Sequence, residues 1–210
     1  SLLSSYHDIA AKDEFEHLFS GTEIGKNPTP MRNNYYVLNF DFSGISTESE
    51  DILRETFAKS VLKSVNTFIE KYCPQCSPIG MDFAPELLQS FIHIIEREIN
   101  GPIYVIIDEY DHFANELLSF DLALFQNSVS KNGFIRKWYE VLKQGTKTPV
   151  RRIFATGVSP VTLDSLTSGF NIGKNLSRSQ KLNEMMGFTA EEVSWLVTET
   201  LPASSVTPAM

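Results

Sequence analysis

The sequence predicts an α/β fold in three layers, a parallel sheet with helices on both faces. Three observations carry that prediction. The run Tyr104-Val105-Ile106-Ile107 is continuously apolar and mostly β-branched, as in a strand buried on both faces of a parallel sheet. Two further strand-like runs stand at 35–42 and 151–156, on either side of it. The intervals between the runs show helical periodicity, so the strands are joined by crossovers, which are right-handed and leave the strands parallel.

Taken in order, residues 1–20 read as one helix, with Leu2, Leu3, Tyr6, Ile9 and Ala10 on a stripe, and residues 21–34 as a loop carrying Gly21, Gly25, Pro28 and Pro30. Tyr35 to Phe42 is rich in aromatic and β-branched residues and reads as a strand, closed by Ser43-Gly44. Thr47-x-x-Glu50 has the form of a capping box opening the next helix. Leu53, Phe57, Val61, Val65, Phe68 and Tyr72 recur there at spacings of three and four, and Cys73-Pro74 ends the helix. Pro85 suits the first turn of a second helix with Leu87, Leu88, Phe91, Ile92, Ile95 and Ile99 inward and His93 off the stripe. Asn100-Gly101-Pro102 stops it before the central strand at 103–108. Phe113, Leu117, Leu118, Leu122 and Phe125 predict a helix over 112–126, and a shorter one runs from Phe134 to Leu142 after Asn132-Gly133. The strand at 151–156 passes into a polar, glycine-containing stretch at 161–180, and Thr189-x-x-Glu192 is a second capping box. One domain is expected over 1–200, with 201–210 a disordered tail.

The 210 residues are enough for one α/β domain with a sizeable core, and 42% of them are apolar. No apolar run is long enough to span a membrane, and no basic stretch followed by an apolar core marks a secretory signal. Cys73 and Cys76 lack the second pair of ligands a zinc site needs, and His7, His17, His93 and His112 are scattered. Two reduced thiols, and hence an intracellular protein of cytoplasm or nucleus, are expected. The formal charge of −8 argues against a general nucleic-acid surface. Against that trend, Lys131, Arg136, Lys137, Lys143, Lys147, Arg151 and Arg152 face Glu140 alone between 131 and 152. A solvated helix face is the simpler explanation of that stretch; an anion contact is the alternative.

All three strands end in polar residues at what parallel topology makes one edge: Asp41, Asp108-Glu109 and Thr156. In open α/β sheets ligands bind at the carboxyl ends of the strands. An apolar strand running into Asp-Glu has the form of a Walker B element, in which the Asp holds Mg²⁺ and the Glu orients and deprotonates the attacking water.

Longer stretches now carry a resemblance. IGKNPTPMRNNYYVLNFDFSGI (24–45), YVIIDEYDHFANELL (104–118), RRIFATGVSPVTLDSLTSGFNI (151–172) and LNEMMGFTAEEV (182–193) resemble the AAA-ATPase-like proteins, a branch of the P-loop ATPases, in the family's order. In that family a restriction-endonuclease-like domain often follows. The resemblance implies ATP and Mg²⁺ as cofactors, Asp108 as the Mg²⁺ partner and Glu109 as the catalytic acid. Thr156 corresponds to the sensor of the γ-phosphate or the attacking water, with Ser159 as its alternate. It also implies a strand order of 5-1-4-3-2, in which the three strands here are the second, third and fourth. The family's first strand and its phosphate loop have no counterpart: no G-x-x-x-x-G-K-[ST] occurs in the 210 residues, and Gly25-Lys26 leads into Pro28 rather than a helix. Nor does any Asp/Glu-x-Lys occur that could mark the nuclease. The strand at 151–156 is therefore expected to have an unpaired edge, which makes the chain dependent on an oligomer or on the missing segment.

Two readings follow. The chain is an incomplete P-loop ATPase domain that carries the Walker B edge of a larger protein, or it is a non-catalytic module with the same fold. Nucleic-acid binding through 131–152 is a weaker third. On the first two readings alike, the 210 residues alone are expected neither to bind ATP tightly nor to turn it over, because positioning and charge neutralisation are nearly the whole of phosphoryl-transfer catalysis. Calorimetry checks this: micromolar ATP affinity that Asp108→Ala abolishes is the contrary result.

Overall fold

The computed structural model describes residues 1–80, 82–129, 133–158, 172–177, 179–182 and 187–200. Its centre is a parallel sheet of β1 (Tyr36–Asp41), β2 (Ile103–Asp108) and β3 (Val150–Ala155), in the order β1-β2-β3. Every residue of β2 from Ile103 to Ile107 is buried, as its apolar run predicts, and only Asp108 emerges. Leu38 and Phe40 of β1 lie beside Val105 and Ile107 on one face; Val37 lies beside Tyr104 on the other.

The first face carries the main core. Helix α4 (Glu50–Tyr72) lays Leu53, Phe57, Val61, Val65 and Phe68 on it, and α5 (Ala84–Glu98) adds Leu87, Leu88, Phe91 and Ile95. Trp138 of α8 (Phe134–Gly145) meets Phe40, Phe42 and Phe57 at ring-centroid distances of 5.1, 5.5 and 5.5 Å. Truncating a buried aromatic in such a cluster costs about 3–5 kcal/mol. On the opposite face α1 (Leu2–His7) and a 3-10 turn (Ile9–Glu14) lie against β1, and α2 (Phe15–Phe19), followed by α3 (Glu23–Lys26), packs Phe15 and Phe19 on Tyr6 of α1. Leu3 and Met31 pack there against Tyr35, Val37, Tyr104 and Ile106. Helices thus lie on both sides of the sheet, the α/β arrangement that the sequence predicts.

Several boundaries differ from the periodic reading, each for a local reason. Residues 1–20 are not one helix. Asp8 is extended, its carboxylate accepts the Ala10 N–H at 2.8 Å and meets the Lys71 ammonium at 2.5 Å, and Ile9 N–H bonds Tyr35 O at 2.8 Å. An Asp that offers its own acceptor to nearby amides competes with the helix backbone. Leu2 and Ile9, placed on the inner stripe by periodicity, are exposed. The cap of α4 is Ser49, whose hydroxyl accepts the Ile52 N–H at 3.3 Å; Thr47 instead donates to Glu116 at 2.8 Å. The helix expected over 112–126 is two, α6 (His112–Phe120) and α7 (Leu122–Val129), because the Asp121 carboxylate takes the Leu124 N–H at 2.9 Å. Cys73 and Cys76 are not free thiols but a disulfide, with Cα atoms 5.4 Å apart. The second capping box holds: Thr189 N–H bonds the Glu192 carboxylate at 2.8 Å, and Glu192 N–H bonds the Thr189 hydroxyl at 3.2 Å, opening α9 (Ala190–Thr200).

The chain divides into two compact units, Ser1–Ile172 and Gly173–Met210. The tail at 201–210 lies outside the described residues. Among the described residues no strand pairs with the outer edge of β3, where Arg151 and Arg152 are exposed and Ile153 and Phe154 are half-buried. No helix among them is long and apolar enough to cross a membrane.

His7 generates a pH dependence. It is buried, its Nδ1–H donates to the Met31 carbonyl at 3.2 Å, and its ring packs 4.9 Å from that of Tyr104 and 5.7 Å from that of Tyr35. Burial lowers its pKa below the ordinary 6.5; the Met31 bond opposes that and Arg152 adds to it. The unfolded chain therefore binds a proton at a pH where folded His7 stays neutral. Stability from this group is present above about pH 6.5 and is lost as pH falls below it. Thermal melts of wild type and His7→Gln across that range are expected to show a shallower acid-side loss in the variant. Equal slopes would show that His7 pays no burial penalty on protonation.

Candidate functional site

The carboxyl ends of the three strands form one rim. Asp41 and Asp108 are register partners, and Thr156 follows the last residue of β3. Strand pairing continues past the strands themselves: Thr156 N–H bonds Ile107 O at 2.9 Å, and Tyr110 N–H bonds Thr156 O at 3.1 Å. The Thr156 hydroxyl stands 2.5 Å from Asp108 Oδ1, to which it donates. Glu109 N–H donates to the same oxygen at 3.2 Å. Asp108 Oδ2 has no hydrogen bond among the described residues and Asp108 is exposed, so one oxygen is fixed and the other faces outward.

Glu109 is half-buried with φ of +50°, in the left-handed region that glycine favours. The conformation turns the chain sharply out of β2, and Glu109 O accepts the His112 N–H at 3.1 Å. Such a backbone is strained in a non-glycine residue, and observed strain of this kind gathers at functional sites. The Glu109 carboxylate lies 3.3 Å from His112 Nδ1, and His112 Nε2 lies 3.8 Å from Glu116 Oε1. Glu116 in turn accepts the Thr47 hydroxyl, so the loop after β1 and helix α6 are tied together beside Glu109.

Asp41 stands on the rim but is occupied locally. Its Oδ1 accepts the Ser43 N–H at 3.0 Å, and that bond holds its pKa below the usual carboxylate value. Its carbonyl accepts the Ser60 hydroxyl at 2.7 Å. Ser159 lies outside the described residues. Arg151 and Arg152 sit at the start of β3, the end opposite the rim.

A groove of about 590 Å³ lies between Val37, Asn39 and Asp41 of β1 and the α4 lysines Lys59, Lys63 and Lys71. Of the rim it includes Asp41 but neither Asp108, Glu109 nor Thr156. The chemistry the sequence points to therefore rests on the rim and not on this groove. Among the described residues no cluster of His, Cys, Asp and Glu is built to hold a metal by itself. One outward carboxylate oxygen beside a hydroxyl nevertheless suits Mg²⁺, which keeps several waters and takes one or two carboxylates together with substrate phosphates.

Sequence reasoning located Asp108, Glu109 and Thr156, and the structure brings all three together. It missed His112, Glu116 and Thr47, although the i,i+4 spacing of His112 and Glu116 on a helix was visible.

A parallel sheet with its acidic pair at the carboxyl edge, covered by helices on both sides, is an α/β fold consistent with the P-loop-like class. The family model described as predicted AAA-ATPase matches residues 1–167, and the chain belongs to that family. No curated protein and no solved structure matches it.

The turn at Glu109 is open to test in the chain as it stands. Glu109→Ala and Glu109→Gly both lose the carboxylate, but only glycine relieves a positive φ, worth roughly 1–2 kcal/mol. The glycine variant is expected to melt about 2–4 °C above the alanine variant for each kcal/mol relieved. A glycine variant melting at or below the alanine one would place Glu109 in ordinary backbone.

Proposed function

We propose that the rim is the hydrolytic edge of an ATP-hydrolysing domain, with the phosphate cradle contributed from outside these 210 residues. The observation that carries the reading is the contact of Thr156 with Asp108 at the carboxyl edge of a parallel sheet, 2.5 Å from oxygen to oxygen. In this reading Asp108 would hold Mg²⁺, its Oδ1 being engaged by Thr156. The ion, when bound, neutralises charge on the β- and γ-phosphates. Glu109 accepts the proton of the attacking water, and Thr156 fixes the orientation of Asp108 while its hydroxyl oxygen is left to accept from that water, or to turn from Asp108 and donate to the γ-phosphate. His112 holds the Glu109 carboxylate in place from the α6 side.

A second reading has its own support. No G-x-x-x-x-G-K-[ST] occurs in the sequence, so a module with this fold and no turnover fits as well. The two separate in a form of the protein that carries a phosphate loop upstream. Glu109→Gln is expected to keep Mg·ATP binding and to lower turnover by about 10²–10⁴-fold, because the amide is nearly isosteric but takes no proton. Asp108→Asn is expected to raise the Mg²⁺ requirement as well. Steady-state ATPase assays over a Mg²⁺ series decide the matter, and near-wild-type turnover in both variants would assign the pair a structural role.

A further inference from the structure

Asp111 is the acidic residue of this region with no place in the chemistry above, and it is almost wholly buried, at 1% exposure. A buried carboxylate is costly unless hydrogen-bonded. Two of its bonds are clear. Oδ1 accepts the Val158 N–H at 3.1 Å, and Oδ2 accepts the Asn115 side-chain amide at 3.0 Å. The first reaches across to the turn that follows β3; the second anchors the carboxylate to its own helix, α6. Gly157 lies between. A Cβ built there would come within 2.3 Å of Asp111 Oδ1 and 2.5 Å of the Tyr110 ring, so the carboxylate and the ring occupy the space a side chain would need. Behind them stands Tyr139 of α8, fully buried. Its hydroxyl pKa is pushed up by burial first, then by Tyr110 and Asp111 beside it.

The turn at 156–158 is therefore stitched to the turn at 107–111 by three successive bonds. They run from Thr156 N–H to Ile107 O, from Tyr110 N–H to Thr156 O, and from Val158 N–H to Asp111 Oδ1. Asp111 makes the last one, where strand pairing has already ended and a side chain takes over from the backbone. We propose that Asp111 is a positioning residue: by fastening the 156–158 turn it sets the Thr156 hydroxyl against Asp108. This rests on the ATPase reading for its catalytic consequence but not for its geometry.

The experiment has two arms for that reason. In the present chain, amide hydrogen exchange at Tyr110, Thr156 and Val158 is measured for wild type, Asp111→Asn, Asp111→Ala and Gly157→Ala. Asn keeps a carbonyl for the Val158 N–H and is expected to retain protection. Asp111→Ala is expected to lose it at all three amides. Gly157→Ala keeps the carboxylate but forces the turn away, and is expected to lose it too. Gly157→Ala leaves the buried Asp111 carboxylate and the core side chains in the sequence, so this variant reports even where Asp111→Ala does not fold. In a form carrying a phosphate loop, Asp111→Ala and Gly157→Ala are expected to lower kcat about 10²-fold, the penalty of a misplacement near 1 Å. KM for ATP is expected to stay within about twofold, since the cradle is untouched. Unchanged protection at Thr156 and Val158 in folded Gly157→Ala overturns the proposal, as does a loss of kcat in the Asn variant equal to that in the Ala variant. Lost protection in the first arm together with an absence of turnover in the wild type overturns the ATPase reading and leaves the fastening of Thr156 to Asp108 intact.

Discussion

A strand buried on both faces cannot hold a charge within its length, and that constraint arranges the rest of the molecule. From Ile103 to Ile107, β2 is sealed by β1 and β3 at its edges and by apolar layers above and below. An unpaired carboxylate in that run would lose several kcal/mol of hydration with no partner to replace it. The first position at which the chain can afford an acid is its end, Asp108. Because the neighbouring strands run parallel, their ends arrive at the same level, and polar residues gather there without any sequence-local reason to do so. Reactive groups at this edge are a consequence of how the sheet is covered.

The parallel ladder also explains why the rim is ordered. Hydrogen bonds between strands do not stop where side-chain burial stops. The backbone of Thr156 continues the β2–β3 ladder for one more step in each direction, to Ile107 and to Tyr110, although the residue is itself exposed. The backbone of Thr156 is thereby held beside the end of β2, and the Asp111 carboxylate fastens the turn one step further on, at Val158. On the other side, Asp41 spends its carboxylate on the turn it begins, which is why membership of the rim does not make it part of the Asp108 cluster.

Much of this was legible in the sequence, and the limits of legibility have physical causes. Strand β2 was readable because burial on both faces leaves an uninterrupted apolar run, and the rim because acids follow that run directly. Helix α4 was readable because its inner residues repeat at three and four. Thr47 was misread because a capping box is a local pattern, while the actual partner of its hydroxyl is Glu116, 69 positions away. The break at Asp8 in the helix expected over 1–20 was missed for the same reason: Lys71, its ion-pair partner, lies 63 residues along the chain. Apolar periodicity at residues 2–10 suggested one helix, yet an acid fixed by a distant lysine and a strand end at Tyr35 redirected the backbone. Periodicity reports which face is buried; it does not report which polar group outcompetes the helix.

Asp108, Glu109 and Asp111 show the same limit at closest range. In sequence they are three carboxylates of nearly equal standing. In the fold Asp108 is exposed with one oxygen engaged, Glu109 is half-buried on a left-handed turn, and Asp111 is sealed against Gly157 and Tyr110. The positive φ of Glu109 is what separates them. It swings the chain out of the strand direction, so that the residue before it faces the rim and the residue two places after it faces the interior. Without that turn, the two-residue alternation of a strand would carry Asp108 and Tyr110 to one face, and Glu109 and Asp111 to the other. A single strained residue therefore converts an acidic run into two kinds of group, one pair open at the edge and one acid committed to holding the neighbouring turn. The strain, roughly 1–2 kcal/mol for such a conformation, is small beside the core that β2 and its aromatic layer supply, and that difference is what allows the turn to persist.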